Sequence, residues 1–177
     1  MKQNKETVSP MSNEGRNLYV IEHITESLLI LLKDKEIEDI SISELCDNAG
    51  IGRASFYRNF RSKEDILRAY INKLFDGWRS NWEKNNSIVL SSGIGMIFEH
   101  FEQYKEFYHL LNKRHLIYLL KDILLDIVEL KPDLPKADAY AKAFVAYSLY
   151  GWIEVWFQRG MQESAEEMKQ LFQSQGL

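Results

Sequence analysis

The sequence predicts an all-α protein in two helical parts, and three observations lead to that reading. Three prolines and nine glycines in 177 residues leave too few breaks for the many turns of a β fold. Apolar residues recur at spacings of three and four along most of the chain, and no stretch alternates with period two. One such pattern begins at Lys63 and, if it runs to about Asn85, makes a helix of about 34 Å, long enough to join two modules.

Bulk properties narrow the class. At 45% hydrophobic and 27% charged residues, neither a disordered nor a collagen-like chain fits. No run approaches the roughly 18 to 20 apolar residues of a membrane span. Met1–Gly15 has no apolar segment after Lys2 and Lys5, unlike a secretory signal. Cys46 is the lone cysteine, so neither an internal disulfide nor a cysteine-rich zinc site is expected. A cytoplasmic location is the default. Net charge is −4, which argues against a nonspecific nucleic-acid coat. Its distribution is uneven. Between Arg53 and Lys73 the bases Arg53, Arg58, Arg61, Lys63, Arg68 and Lys73 face only Glu64 and Asp65, so that stretch holds +4 and the rest −8.

Residues 1–15 are polar and without periodicity and are expected to form a mobile tail. From Arg16 a first helix follows, with Leu18, Ile21, Thr25, Leu28 and Leu32 on one stripe and Ile24 and Leu29 beside it. Ser41-Ile42-Ser43-Glu44 is a capping box, in which Ser41 and Glu44 should each bond the other's backbone N–H. A short helix with Ile42, Leu45, Cys46 and Ala49 on one face comes next. Gly50-Ile51-Gly52 breaks it, because glycine tolerates the positive φ of a tight turn. A second short helix spans about Arg53 to Phe60 and buries Phe56 and Phe60. Ser62 caps the long helix, with Glu64 and Asp65 in its first turn. Further helices are expected over about Ser92–Tyr104, Glu106–Leu111, His115–Leu130 and Lys136–Arg159, with a last one opening at Ser164. The domain division that follows is 16–75 and 76–177.

Two short helices joined by a turn of three or four residues form a helix-turn-helix. The second is thin enough to enter a DNA major groove. It needs two faces. Phe56, Phe60 and Ile51 would hold it to the scaffold, leaving Arg53, Ala54, Ser55, Tyr57 and Arg58 outward. Small Ala54 and Ser55 would allow close approach to base edges, Arg53 could pair with guanine or phosphate, and Tyr57 could reach a backbone oxygen.

The run from Ile42 to Glu64, with its Ala49-Gly50-Ile51 turn, Phe56-Tyr57-Arg58-Asn59-Phe60 helix and Ser62-Lys63-Glu64 opening, resembles the N-terminal signature of TetR-family transcriptional regulators. That resemblance covers about Arg16–Lys73. It implies an all-helical homodimer with a three-helix DNA-binding domain and a C-terminal dimerisation domain that often senses a ligand. By the same resemblance Ser41 and Ser43 would touch phosphate, Arg53, Ala54, Ser55 and Tyr57 would lie in the groove, and Asn59 and Lys63 would lie on the backbone. Two positions depart from the family. Gly52 stands where a capping serine is usual, and Asn59 replaces the commoner histidine or tyrosine.

The C-terminal part resembles the family more loosely, through Gly151–Phe157, Gly160-Met161 and Ser164–Met168, like the closing segment of many members. Such helices usually pack against a second subunit, which would place Phe144, Val145, Ser148, Trp152, Trp156, Met168, Leu171 and Phe172 at a dimer interface. The apolar band on the 136–159 segment, wider than one face, suits the same reading. The aromatics Trp78, Phe98, Phe101, Tyr104, Tyr118 and Tyr147 could line a pocket for a small apolar or aromatic ligand, although aromatics at helical spacing are more commonly plain core. No cofactor and no metal is expected: His100, His109 and His115 lack ligand spacing, and no nucleophile elbow or phosphate loop stands out.

The expected function is a transcriptional regulator, a repressor by family resemblance, binding a near-palindromic operator in double-stranded DNA as a homodimer, with ligand-induced release. The alternative is a TetR-like interaction module that signals through a partner protein or has lost operator binding. An enzyme is not expected.

Overall fold

The computed structural model describes residues 13–84 and 90–175, and among them there are nine helices. They are α1 (Asn13–Leu31), α2 (Ile42–Ala49), α3 (Arg53–Asn59), α4 (Lys63–Lys84), α5 (Leu90–Gln103), α6 (Lys105–Lys113), α7 (Leu119–Ile127), α8 (Lys136–Gln158) and α9 (Ala165–Ser174). The fold is all-α, as expected. The chain divides into two compact units at Leu67/Arg68, inside α4. Most of the expected tail, residues 1–12, lies outside the described residues, and α1 begins three residues before Arg16.

Unit 1 is organised around Ile24 and Leu28 of α1, Leu32 just after it, Leu45 and Cys46 of α2, and Phe56 of α3, each no more than 1% exposed. The α1 stripe is buried only from Ile24 onward; Leu18 is 47% exposed. Ser27 Oγ donates to the Leu45 carbonyl at 3.3 Å, the polar stitch between α1 and α2. Of the expected capping box, half forms. The Glu44 N–H donates to Ser41 Oγ at 3.1 Å, but the Glu44 carboxylate turns to Lys35. An ammonium at contact distance attracts a carboxylate more than a neutral N–H does. The reciprocal box appears instead at the start of α4, where Asp65 N–H donates to Ser62 Oγ and Asp65 Oδ2 accepts from the backbone of Arg61 and Ser62.

Gly50 takes φ +65°, and its N–H and that of Ile51 close the C-terminus of α2 on Asp47 and Cys46. Gly52, in contrast, has φ −77° and ψ 144°, ordinary extended backbone. Only one of the two turn glycines therefore requires glycine's conformational freedom.

Unit 2 has an aromatic core. Phe75 of α4, Phe98 and Phe101 of α5, Tyr108 of α6, and Trp156 and Phe157 of α8 are all no more than 1% exposed. Phe172 of α9 meets Phe98 edge-on, and Phe101 meets Phe157 at 5.4 Å. α9 lies so close along α5 that a Cβ on Gly95 would stand 2.8 Å from Lys169 Cδ. The C-terminus of α8 is tied to α6 by Asn112 Nδ2 on the Phe157 carbonyl and Lys105 Nζ on the Met161 carbonyl. Ser164 and Glu167 complete a capping box at the head of α9. α7 is shorter than the expected His115–Leu130. Both flanks turn through left-handed backbone, at His115 (φ 55°) and Glu129 (φ 54°), so the helix cannot extend through them.

His100 is 5% exposed, stacks on Phe75 at 3.8 Å, and its Nε2 lies 2.7 Å from Tyr108 Oη. Burial pulls its pKa down to about 4. The unfolded chain then takes up a proton below about pH 6.5 that the native core refuses, so the stability this gives is whole above 6.5 and fades toward 4. Urea unfolding at pH 7.0, 5.5 and 4.5 should show the acid loss reduced by roughly 3 kcal/mol at the lowest pH in His100→Gln, relative to the parent's own loss. Gly50→Ala should cost about 1–2 kcal/mol at any of these pH values, because alanine is strained at positive φ.

Candidate nucleic-acid interface

α3 has seven residues, too few to be stable by itself, so its place is set by what it buries. Phe56 is fully buried, and Phe60, its C-cap, is 7% exposed, with ring centroids 6.2 Å apart. Both point into unit 1. On the other side Arg53, Ala54 and Arg58 are exposed, Tyr57 is 55% exposed and Ser55 is half-buried. The Tyr57 ring meets Phe56 edge-on at 5.1 Å, which steadies it while leaving its hydroxyl end outward. Four exposed side chains of suitable chemistry thus share the outer side of one short helix, with Ser55 at its edge.

Ser41 and Ser43 are exposed at the head of α2. Ser41 accepts the Glu44 N–H, and its own O–H is left to donate outward. Two expected contact residues are placed otherwise. Asn59 is half-buried, and its Nδ2 donates to the Ser55 carbonyl at 2.8 Å, within α3. Lys63 is not a free cation on the surface. Its ammonium donates to the carbonyls of Ile37 and Ile40, at 2.5 Å for the latter. Both polar heads find nearby backbone oxygens before they find solvent. Spacing in sequence could not reveal the Lys63 contact, because its acceptors lie 23 and 26 residues away.

Cys46 does not add chemistry. It is 1% exposed, and burial first, then Asp47, raises its thiol pKa, with Arg53 opposing. A protonated, shielded thiol behaves as a small hydrophobe.

The six aromatics considered as a ligand pocket are not brought together in unit 2. Trp78, Phe98 and Phe101 are packed into the core, where Phe98 meets Trp156 and Phe101 meets Tyr108. Tyr104 is half-buried at the N-cap of α6, 5.0 Å from His100. Tyr118 and Tyr147 are each 49% exposed, and Lys121 Nζ sits 5.1 Å over the Tyr147 ring. Trp78, Phe98 and Phe101 are thus engaged with neighbouring rings of the unit 2 core, apart from Tyr118 and Tyr147.

The residues considered for an interface between subunits also separate. Trp156, Met168 and Phe172 face their own core, at 5% exposure or less, whereas Phe144 (57%) and Leu171 (46%) face out. Val145, Ser148 and Trp152 are intermediate. A residue turns by about 100° along a helix, so the side of α8 opposite Leu149, Ile153 and Trp156 presents Tyr140, Phe144, Tyr147 and Val155. Tyr140 and Val155, exposed at 70% and 54%, were not picked out by composition; phasing α8 from its buried residues finds them. Beside this stripe, between α8 and α9, is a cleft of about 480 Å³ walled by Trp152, Val155, Trp156, Met168 and Leu171. Arg159 and Glu163 close one end. Arg159 Nη2 donates to Glu163 Oε1 at 2.8 Å, and the second carboxylate oxygen is buried without a partner. A hydrogen bond from its own backbone and then Arg159 hold the Glu163 carboxyl below the usual range.

Residues 24–70 match the family model for bacterial regulatory proteins of the tetR family, and residues 90–174 match the model of a transcriptional regulator C-terminal region, TetR_C_8. No curated protein matches the chain. Among solved structures, a TetR transcriptional regulator from Streptococcus agalactiae 2603V is similar with a TM-score of 0.62 and 18% identity, covering 94% of this chain and 98% of that one. The fatty acid degradation regulator FadR from Bacillus halodurans aligns with a TM-score of 0.47 and 15% identity, over 86% of this chain and 93% of that one.

Gly52 caps α3 with no side-chain hydrogen bond, and a Cβ added there would meet nothing within 4 Å. Its φ of −77° suits any residue. Gly52→Ser should therefore stabilise unit 1 by roughly 0.5–1 kcal/mol, through a cap bond and a less flexible unfolded chain, read as a raised urea midpoint.

Proposed function

The chain belongs to the TetR family of DNA-binding transcriptional regulators, and on that footing we propose that it is a repressor acting as a homodimer on a near-palindromic operator. The observation that supports this most is the two-sided α3. Phe56 is buried without remainder, while Arg53, Ala54, Tyr57 and Arg58 stand outward together. Small residues beside cations and a hydroxyl suit a groove, where Ala54 permits approach and Arg53 offers a bidentate pair to guanine. Ser41 and Ser43 at the head of α2 offer donors to phosphate. The +4 of residues 53–73 in a chain of net −4 confines attraction for DNA to that stretch.

Dimerisation through α8 and α9 accounts for the exposed stripe Tyr140, Phe144, Tyr147 and Val155, which is too apolar for one face of a water-bathed helix. A second copy's side chains would fill the α8–α9 cleft beside it. In a two-fold dimer the same patch meets itself, so the two α3 helices would address half-sites about 34 Å apart. Release by a small apolar or aromatic ligand completes the proposal. α4 is common to both units and is the element through which unit 2 would bias unit 1.

Fluorescence anisotropy with duplex DNA from upstream of the protein's own gene, over a salt series, tests the reading. Binding should depend on sequence, and Arg53→Ala should weaken it by about 1–3 kcal/mol while leaving the fold intact by circular dichroism. Sequence-independent binding, or none, would favour a module that signals through a partner protein. Light scattering should give twice the chain mass for the parent and the chain mass for Phe144→Asp, since a buried unpaired carboxylate is not tolerated at an apolar contact. A monomeric parent would remove the palindrome.

A further inference from the structure

We propose that Lys63 positions the DNA-binding helices from within and is not a phosphate ligand; this rests on the reading that unit 1 binds duplex DNA. Lys63 is the first residue of α4, and two of its three N–H donors are taken by the Ile37 and Ile40 carbonyls. Those carbonyls belong to the connection between α1 and α2. The same two residues put their side chains into the core, at 1% and 0% exposure. The connection is therefore pinned on both sides, by apolar burial and by a charge that gathers its oxygens.

What it delivers is the start of α2. Ile40 precedes Ser41, the N-cap, whose carbonyl accepts the first helical N–H, from Leu45. α2 leads through the left-handed Gly50 into α3, so the clamp on Ile40 sets where Ser41, Ser43 and the outer side of α3 come to stand. A further tie on this connection, Lys35 to Glu44, is a surface pair with side chains 43% and 32% exposed. Pairs of that kind contribute little. A half-buried ammonium on two carbonyls makes charge-assisted bonds and is the stronger of these two. A lysine is suited to it. A compact charge can sit between two oxygens that a planar guanidinium fork does not match.

Lys63→Met, Lys63→Arg and Lys63→Gln, with Arg58→Ala as the calibrating variant, distinguish the roles when two readouts are taken on the full chain. The first is affinity for the duplex that the parent binds, across 50–300 mM salt. The second is amide hydrogen exchange over residues 37–59 without DNA. For a positioning residue, Lys63→Met and Lys63→Arg both lose about tenfold or more, the salt slope stays at the parent's value, and exchange quickens over 37–50. Arg58→Ala, an exposed cation, lowers the slope by about one and leaves exchange alone. The proposal is overturned if Lys63→Arg binds like the parent while Lys63→Met lowers the slope by about one, or if exchange is unchanged in every Lys63 variant. Should Lys63→Met fail to fold, Lys63→Gln, which keeps a neutral donor for one carbonyl, is read on the same two criteria. A parent that binds no duplex overturns the DNA reading, and the exchange comparison still decides the clamp.

Discussion

The burial of Phe56 is the constraint on which unit 1 depends. A seven-residue helix pays its nucleation cost for very few hydrogen bonds, and in water it would not persist. Placing one ring wholly inside, with Phe60 at the edge, gives α3 both its existence and its orientation. Everything on the outer side inherits that orientation. Arg53, Ala54, Tyr57 and Arg58 are presented together because the helix cannot roll without bringing Phe56 into water. The polar residues around it serve the same end: Asn59 folds back on Ser55, and Lys63 gathers the carbonyls that lead into α2.

Unit 2 solves a different problem. Its rings are many, and they fill the interior by meeting edge to face. The one buried imidazole is neutral and paired with a tyrosine hydroxyl, as a low-polarity interior demands. α8 then has more apolar surface than its own unit can cover. Its buried side completes the core, and its outer stripe continues into the cleft against α9. The division of labour is visible in the placement of charge, with the basic stretch at α3 and the start of α4 and the acidic excess elsewhere.

Much of this was legible beforehand. Helix periodicity located each helix among the described residues, with error confined to a few residues at the ends. The two-sided character of α3 followed from two phenylalanines four apart, because the side a helical residue faces depends only on its position along the same helix. The capping boxes were harder. The box read at Ser41 formed only in part, because Glu44 was drawn to Lys35 nine residues back, while complete boxes stand at Ser62–Asp65 and Ser164–Glu167, where only a helix start was expected. The Gly50-Ile51-Gly52 turn was expected to use glycine's positive φ, and only Gly50 does; Gly52 is ordinary extended backbone, since one residue of the turn suffices.

By itself the sequence determined the all-α class, the helix-turn-helix and its outward residues, the family, and the concentration of positive charge. These are properties of neighbours in the chain, and helical phase transmits them without knowledge of the rest. Tertiary structure alone decided which distant groups the polar heads chose, so that Lys63 turned to oxygens more than 20 residues away and not to solvent. It also decided that Trp78, Phe98 and Phe101 are packed into a core while Tyr118 and Tyr147 stay half-exposed, and that Trp156 and Phe172 face inward while Tyr140 and Val155 face out. Composition counts the rings. Which of them meet depends on how close-packed helices interdigitate, and that is settled only when the helices are side by side.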